Sequence, residues 1–330
     1  MTHPFDQFQM SVTRVVAQTK ERMESPHAPC PPLYHYTSPS GLLGIVTKQA
    51  ILASDASCLN DHAELKHVDR IVANVGGKLA VRTEAGRQFR DQIVAGTLRT
   101  SFRVGAFVAS FSEDPDHLTQ WRAYANDGLG YALGFTEAME LSVREPGEDG
   151  ALARPHPAPL VQVIYDPEKQ KDLLRLPAQE IAARLDDFAE VTAPEEATRA
   201  VPFAVASLAM IAEHLAPIIK NPGFQEEREW RAFIRFQENL FPGHCLHFRP
   251  SRYGITAAVW LGAETNSEHS GLPISEIVLG PKLDPVVAMR TTKYLLRQRS
   301  LHLSREDTRP TILMGRGEPI RVWQSATSYR

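Results

Sequence analysis

The sequence predicts an α+β protein built on a mixed, split or strongly bent β-sheet that is flanked by helices. Short segments rich in aromatic and β-branched residues recur along the chain, and segments with helical spacing of apolar residues separate them. The composition is that of an ordinary globular protein, with 43% apolar and 23% charged residues, which argues against wholesale disorder. At 330 residues the chain can bury a large core.

The predicted organisation is a single domain over residues 1–330. We expect an N-terminal docking helix within residues 1–25 and a core over residues 33–281 that carries a helical insertion at about 146–220. A C-terminal helix and strand are expected within residues 282–330. No internal repeat is visible.

The first elements are predicted by local signals. A narrow apolar stripe at helical spacing marks the first helix, at Phe5, Phe8, Val12 and Val15. Prolines stop this helix, and residues 33–37 then have the composition of a strand. Ser38 can cap the next helix and Pro39 can occupy its first position.

The remaining elements follow from the same reading of periodicity and turn residues. Further strands are predicted at residues 50–54, 107–112, 131–135, 161–165, 229–236, 245–248, 257–261, 275–279 and 320–323. Further helices are predicted at residues 59–75, 84–98, 118–125 and 285–297, with a mainly helical stretch over 166–220. Residues 145–159 are rich in Gly, Pro and Ala and predict a surface excursion.

Charge and cysteine content limit the partners of this chain. Lys and Arg total 36 against 39 Asp and Glu, and a formal charge of -3 gives no broad cationic field for duplex nucleic acid. The three widely spaced cysteines, Cys30, Cys58 and Cys245, suit a reducing compartment, so we expect a cytoplasmic protein. No signal peptide is recognisable and no uninterrupted apolar stretch approaches the roughly 20 residues of a membrane span, so no membrane partner is expected.

A pair of carboxylates in a strand-like segment is the first candidate for chemistry. If residues 227–234 form one strand, Glu227, Glu229 and Arg231 share one face, and Arg228 and Trp230 share the other. Two close carboxylates can divide their roles, because one stays ionised to stabilise positive charge while the other positions a nucleophile. The alternative is a set of solvated ion pairs with neighbouring arginines.

His35 is the second candidate, on a short aromatic strand near the start of the chain. Tyr34 and Tyr36 flank it and point to the opposite face, so His35 can donate a hydrogen bond to a bound hydroxyl. A histidine with a purely structural partner is an equally common alternative. Ser112 and Trp121 lie just past a later strand end, where loops often carry function, although Trp is usually core.

Several other motifs are incomplete, and no metal is expected. His62 and Glu64 match the first half of the zinc deaminase signature, but no Pro-Cys-x-x-Cys follows. His62, Glu64 and His67 also miss the His-Glu-x-x-His spacing. The segment with His244, Cys245 and His247 is better explained by an alternating strand, and no Walker loop or dinucleotide fingerprint occurs.

Several short blocks, taken together and in order, resemble the bacterial domain of unknown function 2971. The blocks run from about residue 33 to residue 281, which is most of the chain. They are Tyr34-His35-Tyr36-Thr37 with Gly41-Leu42, Leu59-Asn60-Asp61 with Glu64, Ser110-Phe111-Ser112-Glu113, Trp121 with Tyr124-Ala125, Glu227-Arg228-Glu229-Trp230-Arg231, and Glu276-Ile277-Val278-Leu279-Gly280-Pro281. The family name carries no activity.

A looser resemblance is to the ADP-ribosyltransferase superfamily, and it implies both a fold and a mechanism. By this resemblance the fold is ADP-ribosyltransferase-like, His35 holds a ribose hydroxyl of NAD, and Tyr124 or Tyr131 stacks on nicotinamide. Glu229 then stabilises the oxocarbenium-like centre with Glu227 as the assisting acid. The other residues placed around NAD are Tyr36, Thr37, Ser112, Trp121, Arg122 and Arg231. No Ser-Thr-Ser triplet is present, and His-Tyr-Thr departs from the usual His-Gly-Thr form.

The expected function is therefore that of an NAD-consuming ADP-ribosyltransferase-like or NAD glycohydrolase-like enzyme, with NAD as substrate and an unknown macromolecule as acceptor. A toxin or phage-defence effector is the cellular role that this activity suggests. The alternatives are a non-catalytic nucleotide-binding or protein-interaction module and a nucleic-acid-processing enzyme. The catalytic hypothesis predicts that His35 and Glu229 lie on adjacent strands, about 5 Å apart between backbones, and line one pocket.

Overall fold

The computed structural model describes most of the chain. The described residues are 3–24, 32–56, 62–96, 105–135, 140–144, 156–236, 245–251, 254–263, 271–303 and 320–329. Cys30, Cys58, the predicted capping residues 59–61 and most of the predicted excursion at 145–159 lie outside them.

The described part of the chain contains helices close to those predicted. They are α1 Pro4–Glu24, α2 Pro39–Lys48, α3 His62–Gly76, α4 Glu84–Val94, α5 Leu118–Tyr124, α6 Pro167–Val191, α7 Pro194–Leu215 and α8 Pro285–Leu303. At the start of α2, the Ser38 hydroxyl accepts a hydrogen bond from the Gly41 amide at 3.1 Å, with Pro39 following as the first helical residue. The predicted cap is confirmed, because a Ser oxygen satisfies one of the free amides at a helix start.

The strands of the described residues also follow the prediction, with some shifts. They are β1 Leu33–Thr37, β2 Ala50–Asp55, β3 Gly105–Ser112, β4 Tyr131–Phe135, β5 Leu141–Val143, β6 Pro157–Ala158, β7 Leu160–Gln162, β8 Glu229–Phe236, β9 His247–Ser251, β10 Gly254–Ala263, β11 Ile274–Leu279 and β12 Arg321–Gln324. The strand predicted at 245–248 is wrong in position, because Cys245 precedes β9. The sequence did not predict β5 or β6, which are too short to show a period.

The described chain divides into two compact units, each built from several separate segments. One consists of residues 1–25, 59–105 and 163–225, and the other of residues 26–58, 106–162 and 226–330. The first unit holds α1, α3, α4, α6 and α7, and the second holds the sheet with α2, α5 and α8. The single domain predicted from the sequence stays a prediction.

In the helical unit, α1 packs against α6 and α7 through aromatic rings. The ring of Phe8 stacks on Phe188 with centroids 5.1 Å apart and meets Phe203 edge-on at 6.1 Å. α7 with the turn that follows it, Pro194–Ile218, is long and apolar enough to cross a membrane, which the sequence reading did not single out. The buried core helix of a soluble protein can have the same length and apolar composition. Since 67% of the 18-residue apolar window of this helix is buried, its length and composition are weak evidence for a membrane span.

The carboxylate of Asp186 joins α6 to the start of α4 within the helical unit. Asp186 is 1% exposed and accepts hydrogen bonds from the amides of Arg82 and Thr83 at 2.8 and 3.1 Å, and from the Thr83 hydroxyl at 2.6 Å. Thr83 in turn caps α4 by accepting from the Gly86 amide at 3.0 Å. A single buried side chain therefore fixes the entry into this helix.

We expect Asp186→Asn to lower the free energy of unfolding by about 1–3 kcal/mol, since the new amide group would face a backbone amide and leave it without an acceptor. Urea unfolding followed by circular dichroism measures the change. The neighbouring Asp187→Asn is the matched control, because the Asp187 side chain is 71% exposed and pairs with Arg82 at the surface. An equal effect of both substitutions would contradict the role given to Asp186.

The second unit is built on a mixed, open sheet. Its main strand order is β12-β11-β4-β1-β3-β2-β10-β5-β6, with β8 pairing β3 and β7, and with β9 pairing β10. β11 and β12 are parallel, and the other strand pairs whose register is defined by the described residues are antiparallel. The predicted class of a mixed sheet flanked by helices is therefore confirmed.

The two faces of the sheet carry two separate apolar clusters. The main cluster joins Leu33 of β1 and Phe111 of β3 to α2 and α8. The smaller cluster lies on the opposite side of β1 and contains Tyr34, Tyr36 and Trp121. Since alternate strand residues point to opposite faces, the two clusters identify which face each side chain of the candidate site occupies.

Candidate functional site

His35 lies where β1 and β3 diverge. β1 pairs with β4 along its whole length, whereas its register with β3 is recorded only at Tyr34 and Ser112. The His35 Nδ1 atom is 2.9 Å from the main-chain oxygen of Ser110, and its ring centroid is 5.5 Å from that of Phe111. The imidazole therefore bridges the two strands at the point where their backbone pairing stops.

This contact determines the chemistry of the imidazole. A carbonyl oxygen only accepts, so Nδ1 must carry the proton and donate to Ser110. Burial lowers the pKa of His35 below its ordinary value, which favours the neutral ring. Nε2 is then a hydrogen-bond acceptor, with no partner among the described residues. In this tautomer Nε2 would accept a hydrogen bond from a ligand hydroxyl, whereas the prediction from the sequence was that His35 donates one.

The two predicted carboxylates do not share one strand. Glu229 is the first residue of β8, whereas Glu227 ends a 3₁₀ turn, Pro222–Glu227. Arg228 between them has a φ of 43°, in the left-handed region that non-glycine residues rarely adopt. The predicted alternation over residues 227–234 is therefore wrong at its first two positions, although both carboxylates are buried.

Glu229 forms a buried, bidentate ion pair with Arg231. Arg231 Nε donates to one carboxylate oxygen at 2.8 Å and Nη2 donates to the other at 3.0 Å, and the two side chains are only 4% and 3% exposed. A solvated ion pair was the alternative to a catalytic role predicted from the sequence, but this pair is buried. The parallel hydrogen bonds hold the Glu229 carboxylate in one orientation.

The sheet does not place His35 beside Glu229. β3 lies between their strands, since β1 and β8 are each neighbours of β3, so the prediction of adjacent strands is wrong. Trp230 belongs to the main apolar cluster with Phe111, the residue that contacts the His35 ring. Alternation along β8 then directs Glu229 and Arg231 to the face opposite Trp230, and thus opposite His35.

Comparison with known proteins gives one match. Residues 120–232 match the model of DUF2971, a protein of unknown function. This match supports the family resemblance. It covers about a third of the chain, with most of α5 and the first residues of β8 inside it and His35 outside it. No curated protein and no solved structure matched significantly.

Glu113 belongs to one of the blocks that resemble the family, but no role was predicted for it from the sequence. Its Oε1 atom accepts from Trp230 Nε1 at 2.8 Å and from Gln162 Nε2 at 3.3 Å. Because Trp230 lies on the His35 face of the sheet, this contact holds Glu113 toward that face. Oε2 has no hydrogen-bond partner among the described residues. The signal in the sequence was an acid directly after the strand that ends at Ser112.

Tyr36 and Trp121 are structural residues of the smaller cluster. Trp121 is fully buried, donates from Nε1 to Asp116 at 2.7 Å and packs edge-on against Tyr36 with centroids 4.8 Å apart. The Tyr36 hydroxyl donates to the Asp114 carbonyl at 2.8 Å and accepts from the His117 amide at 3.0 Å. Burial, the largest cause, raises the pKa of Tyr36, so the phenol stays protonated. Neither ring presents a free face to a ligand.

The remaining predicted contact residues are dispersed over the second unit. The Ser112 hydroxyl donates to the Glu227 carbonyl at 2.8 Å and accepts from the Asp114 amide at 3.2 Å, which ties the end of β3 to the turn before β8. Thr37 is buried and paired with the half-buried Tyr131, which packs on the main cluster. Tyr124 is half-buried beside the smaller cluster, and Arg122 is exposed.

The described residues contain no group of three or more His, Cys, Asp or Glu side chains that could hold a metal ion. Three groups therefore lie on one face of the sheet: the imidazole of His35, the carboxylate of Glu113 and the ring of Phe111. Within the described residues, His35 Nε2 and Glu113 Oε2 are the atoms of this set that have no hydrogen-bond partner.

Proposed function

We propose that the chain binds NAD at the divergence of β1 and β3 and breaks the bond between nicotinamide and ribose, as an ADP-ribosyltransferase-like or NAD glycohydrolase-like enzyme. The observation that carries this proposal is the 2.9 Å contact between His35 Nδ1 and the Ser110 carbonyl, which leaves Nε2 as an acceptor on β1. A ribose hydroxyl is a donor that this atom would bind.

The proposed reaction needs a carboxylate where positive charge develops. The C1′–N bond breaks with its electron pair leaving on nicotinamide, and the ribose becomes oxocarbenium-like. Water or an acceptor group then attacks C1′ and loses its proton to a carboxylate. A preoriented anion in a sheltered site stabilises this charge without reorganising.

Glu113 is the carboxylate that we assign to this role, because it shares the His35 face and keeps Oε2 available. The resemblance instead assigns Glu229, assisted by Glu227. Glu229 faces away from His35 and both of its oxygens accept from Arg231. Substituting Glu113 and Glu229 separately therefore tests the assignment made from the structure against the assignment made by resemblance.

A second candidate function is a non-catalytic nucleotide-binding or protein-interaction module. The Glu229–Arg231 pair favours it, since an acid neutralised by a bidentate arginine is held for structure. Under this function the chain would bind NAD without releasing nicotinamide. For the enzyme, we keep an unknown macromolecular acceptor, a cytoplasmic location and a toxin or phage-defence role as proposals.

The deciding experiment follows nicotinamide release from NAD by the pure protein. We expect Glu113→Gln to lower the rate by on the order of 10²-fold while NAD binding is kept. Glu140→Gln, at an exposed position, is the control and should not change the rate. A loss with Glu229→Gln but not with Glu113→Gln would restore the assignment by resemblance, provided that Glu229→Gln keeps its unfolding midpoint. Binding without release by the parent protein would favour the module.

His35→Asn should abolish NAD binding without unfolding the protein. The amide nitrogen of Asn mimics Nδ1 and keeps the donor to Ser110, whereas the Nε2 acceptor is lost. Calorimetric titration with NAD measures the binding. With the parent protein, affinity should be constant above neutral pH and fall as the pH drops through the lowered pKa of His35, because the protonated ring cannot accept. Unchanged binding by His35→Asn would leave His35 a structural residue.

A further inference from the structure

One exposed face of α8 carries three cations. Arg290, Lys293 and Arg297 are exposed, and none has an ion-pair partner within the part of the chain that the structure describes. The helix sequence from residue 285 to residue 303 contains no Asp or Glu. Tyr294, 59% exposed, lies among these cations. We call Arg290, Lys293, Tyr294 and Arg297 the α8 cation face.

The geometry of α8 makes this face continuous. At 100° per residue, Lys293, Arg297, Arg290 and Tyr294 occupy in that order an arc of about 100°. Successive cations are separated by a rise of about 5 Å, so the three charges span about 10 Å along the helix. The opposite side of α8 is fixed to the sheet unit, since Leu296 is buried in the main apolar cluster and Arg299 donates to the Thr47 carbonyl at 2.7 Å.

We propose that the α8 cation face binds the backbone of single-stranded nucleic acid, with Tyr294 stacking on an unpaired base. A row of cations that tracks phosphates, interleaved with an exposed aromatic ring, is the combination by which proteins hold single strands without strong sequence preference. The proposal concerns binding and does not depend on the NAD activity.

Two other polyanions fit this face less well. Duplex nucleic acid presents a dense charge array to which a chain of net charge -3 offers only a short row of cations. An anionic membrane would need a helix with a wide apolar face to insert, whereas the exposed aliphatic residues of α8 within 285–299, where its side chains are described, are Val286 and Val287 in its first turn. Stabilisation of the helix dipole explains cations in the last turns but not one at Arg290, near the start.

The test is fluorescence anisotropy of a short labelled oligothymidine titrated with the full chain at low salt. The triple variant Arg290→Gln, Lys293→Gln, Arg297→Gln should weaken oligothymidine binding by at least about tenfold. It should also reduce the slope of log K against log salt by about 2, as expected for three phosphate contacts on a single strand. The matched control replaces three other exposed cations and has the same net charge: Arg14→Gln, Lys169→Gln, Arg199→Gln.

Tyr294 distinguishes nucleic acid from a general polyanion. Tyr294→Ala should weaken oligothymidine binding at least about fivefold, whereas Tyr294→Phe should bind like the parent. No binding by the parent at low salt would overturn the proposal, as would equal losses in the two triple variants. Binding to phosphatidylserine vesicles without binding to oligothymidine would assign the face to a membrane instead. Circular dichroism checks that every variant is folded.

Discussion

Replacing Arg231 with methionine should lower the free energy of unfolding by about 3–5 kcal/mol, a large loss for a domain of ordinary stability. Both side chains of the Glu229–Arg231 pair are buried, and two charge-assisted hydrogen bonds join them. Removal of the guanidinium leaves a carboxylate in a site where water cannot solvate it. Urea unfolding followed by tryptophan fluorescence gives the change, which should appear as a lower midpoint with an unchanged slope.

The double variant Glu229→Met, Arg231→Met is the informative control. Replacing a whole buried pair by apolar residues of similar volume is often neutral or stabilising, so the double variant should be markedly more stable than Arg231→Met alone. Arg231→Lys keeps the charge but loses the planar fork, and should fall between the parent and Arg231→Met. If the loss of unfolding free energy in the double variant equalled the sum of the losses in Glu229→Met and Arg231→Met, the two side chains would not be coupled.

The local elements of the fold could be predicted from the sequence because their signals are local. Residues 33–37 form β1, and the cap at Ser38 with Pro39 starts α2, as a β-branched or aromatic run and a capping pair indicate. The apolar neighbours Trp230 and Phe233 also indicated correctly that Glu227 and Glu229 lie in the body of the fold. These features depend on a few successive residues.

The order of the strands could not be predicted in the same way. Sequence patterns show where strands lie but not which strands pair, and the pairing of β3 with β1, β2 and β8 joins residues far apart in the chain. The left-handed backbone conformation of Arg228 could not be predicted for the same reason. Ser112 donates to the Glu227 carbonyl and the Glu113 amide donates to the Arg228 carbonyl at 3.2 Å, so distant residues fix this turn.

The role of Asp116 also depends on contacts that no local pattern shows. Besides Trp121, its carboxylate accepts from the amides of Ala326 and Thr327 at 2.7 and 3.1 Å, just after the last strand. The sequence placed Trp121 near a ligand because it follows a strand end. Its partners are Tyr36 on β1 and Asp116 just before α5, and Asp116 is in turn held by residues that follow β12, so contacts distant in the chain place this predicted contact residue in the core.

Trp121→Ala should therefore lower the free energy of unfolding by about 3–5 kcal/mol, the range for removing a large aromatic side chain from a core. Trp121 is fully buried, and the substitution would leave a cavity beside Tyr36 and remove the indole donor to Asp116. Asp116 keeps its two amide donors, so the cost should come mainly from lost packing. Trp121→Phe, which fills more of the space, should cost less than half as much as Trp121→Ala.

Measurements of NAD binding on the same variants distinguish core from ligand contact. If Trp121 acts only through packing, Trp121→Phe should bind NAD like the parent at a temperature where both are folded, while its unfolding midpoint falls. Ser325→Ala removes a different partner of Asp116 without opening a cavity, and should change the midpoint far less than Trp121→Ala. A loss of NAD binding in Trp121→Phe with an unchanged midpoint would instead return Trp121 to the ligand site, because a packing defect alone cannot produce that combination.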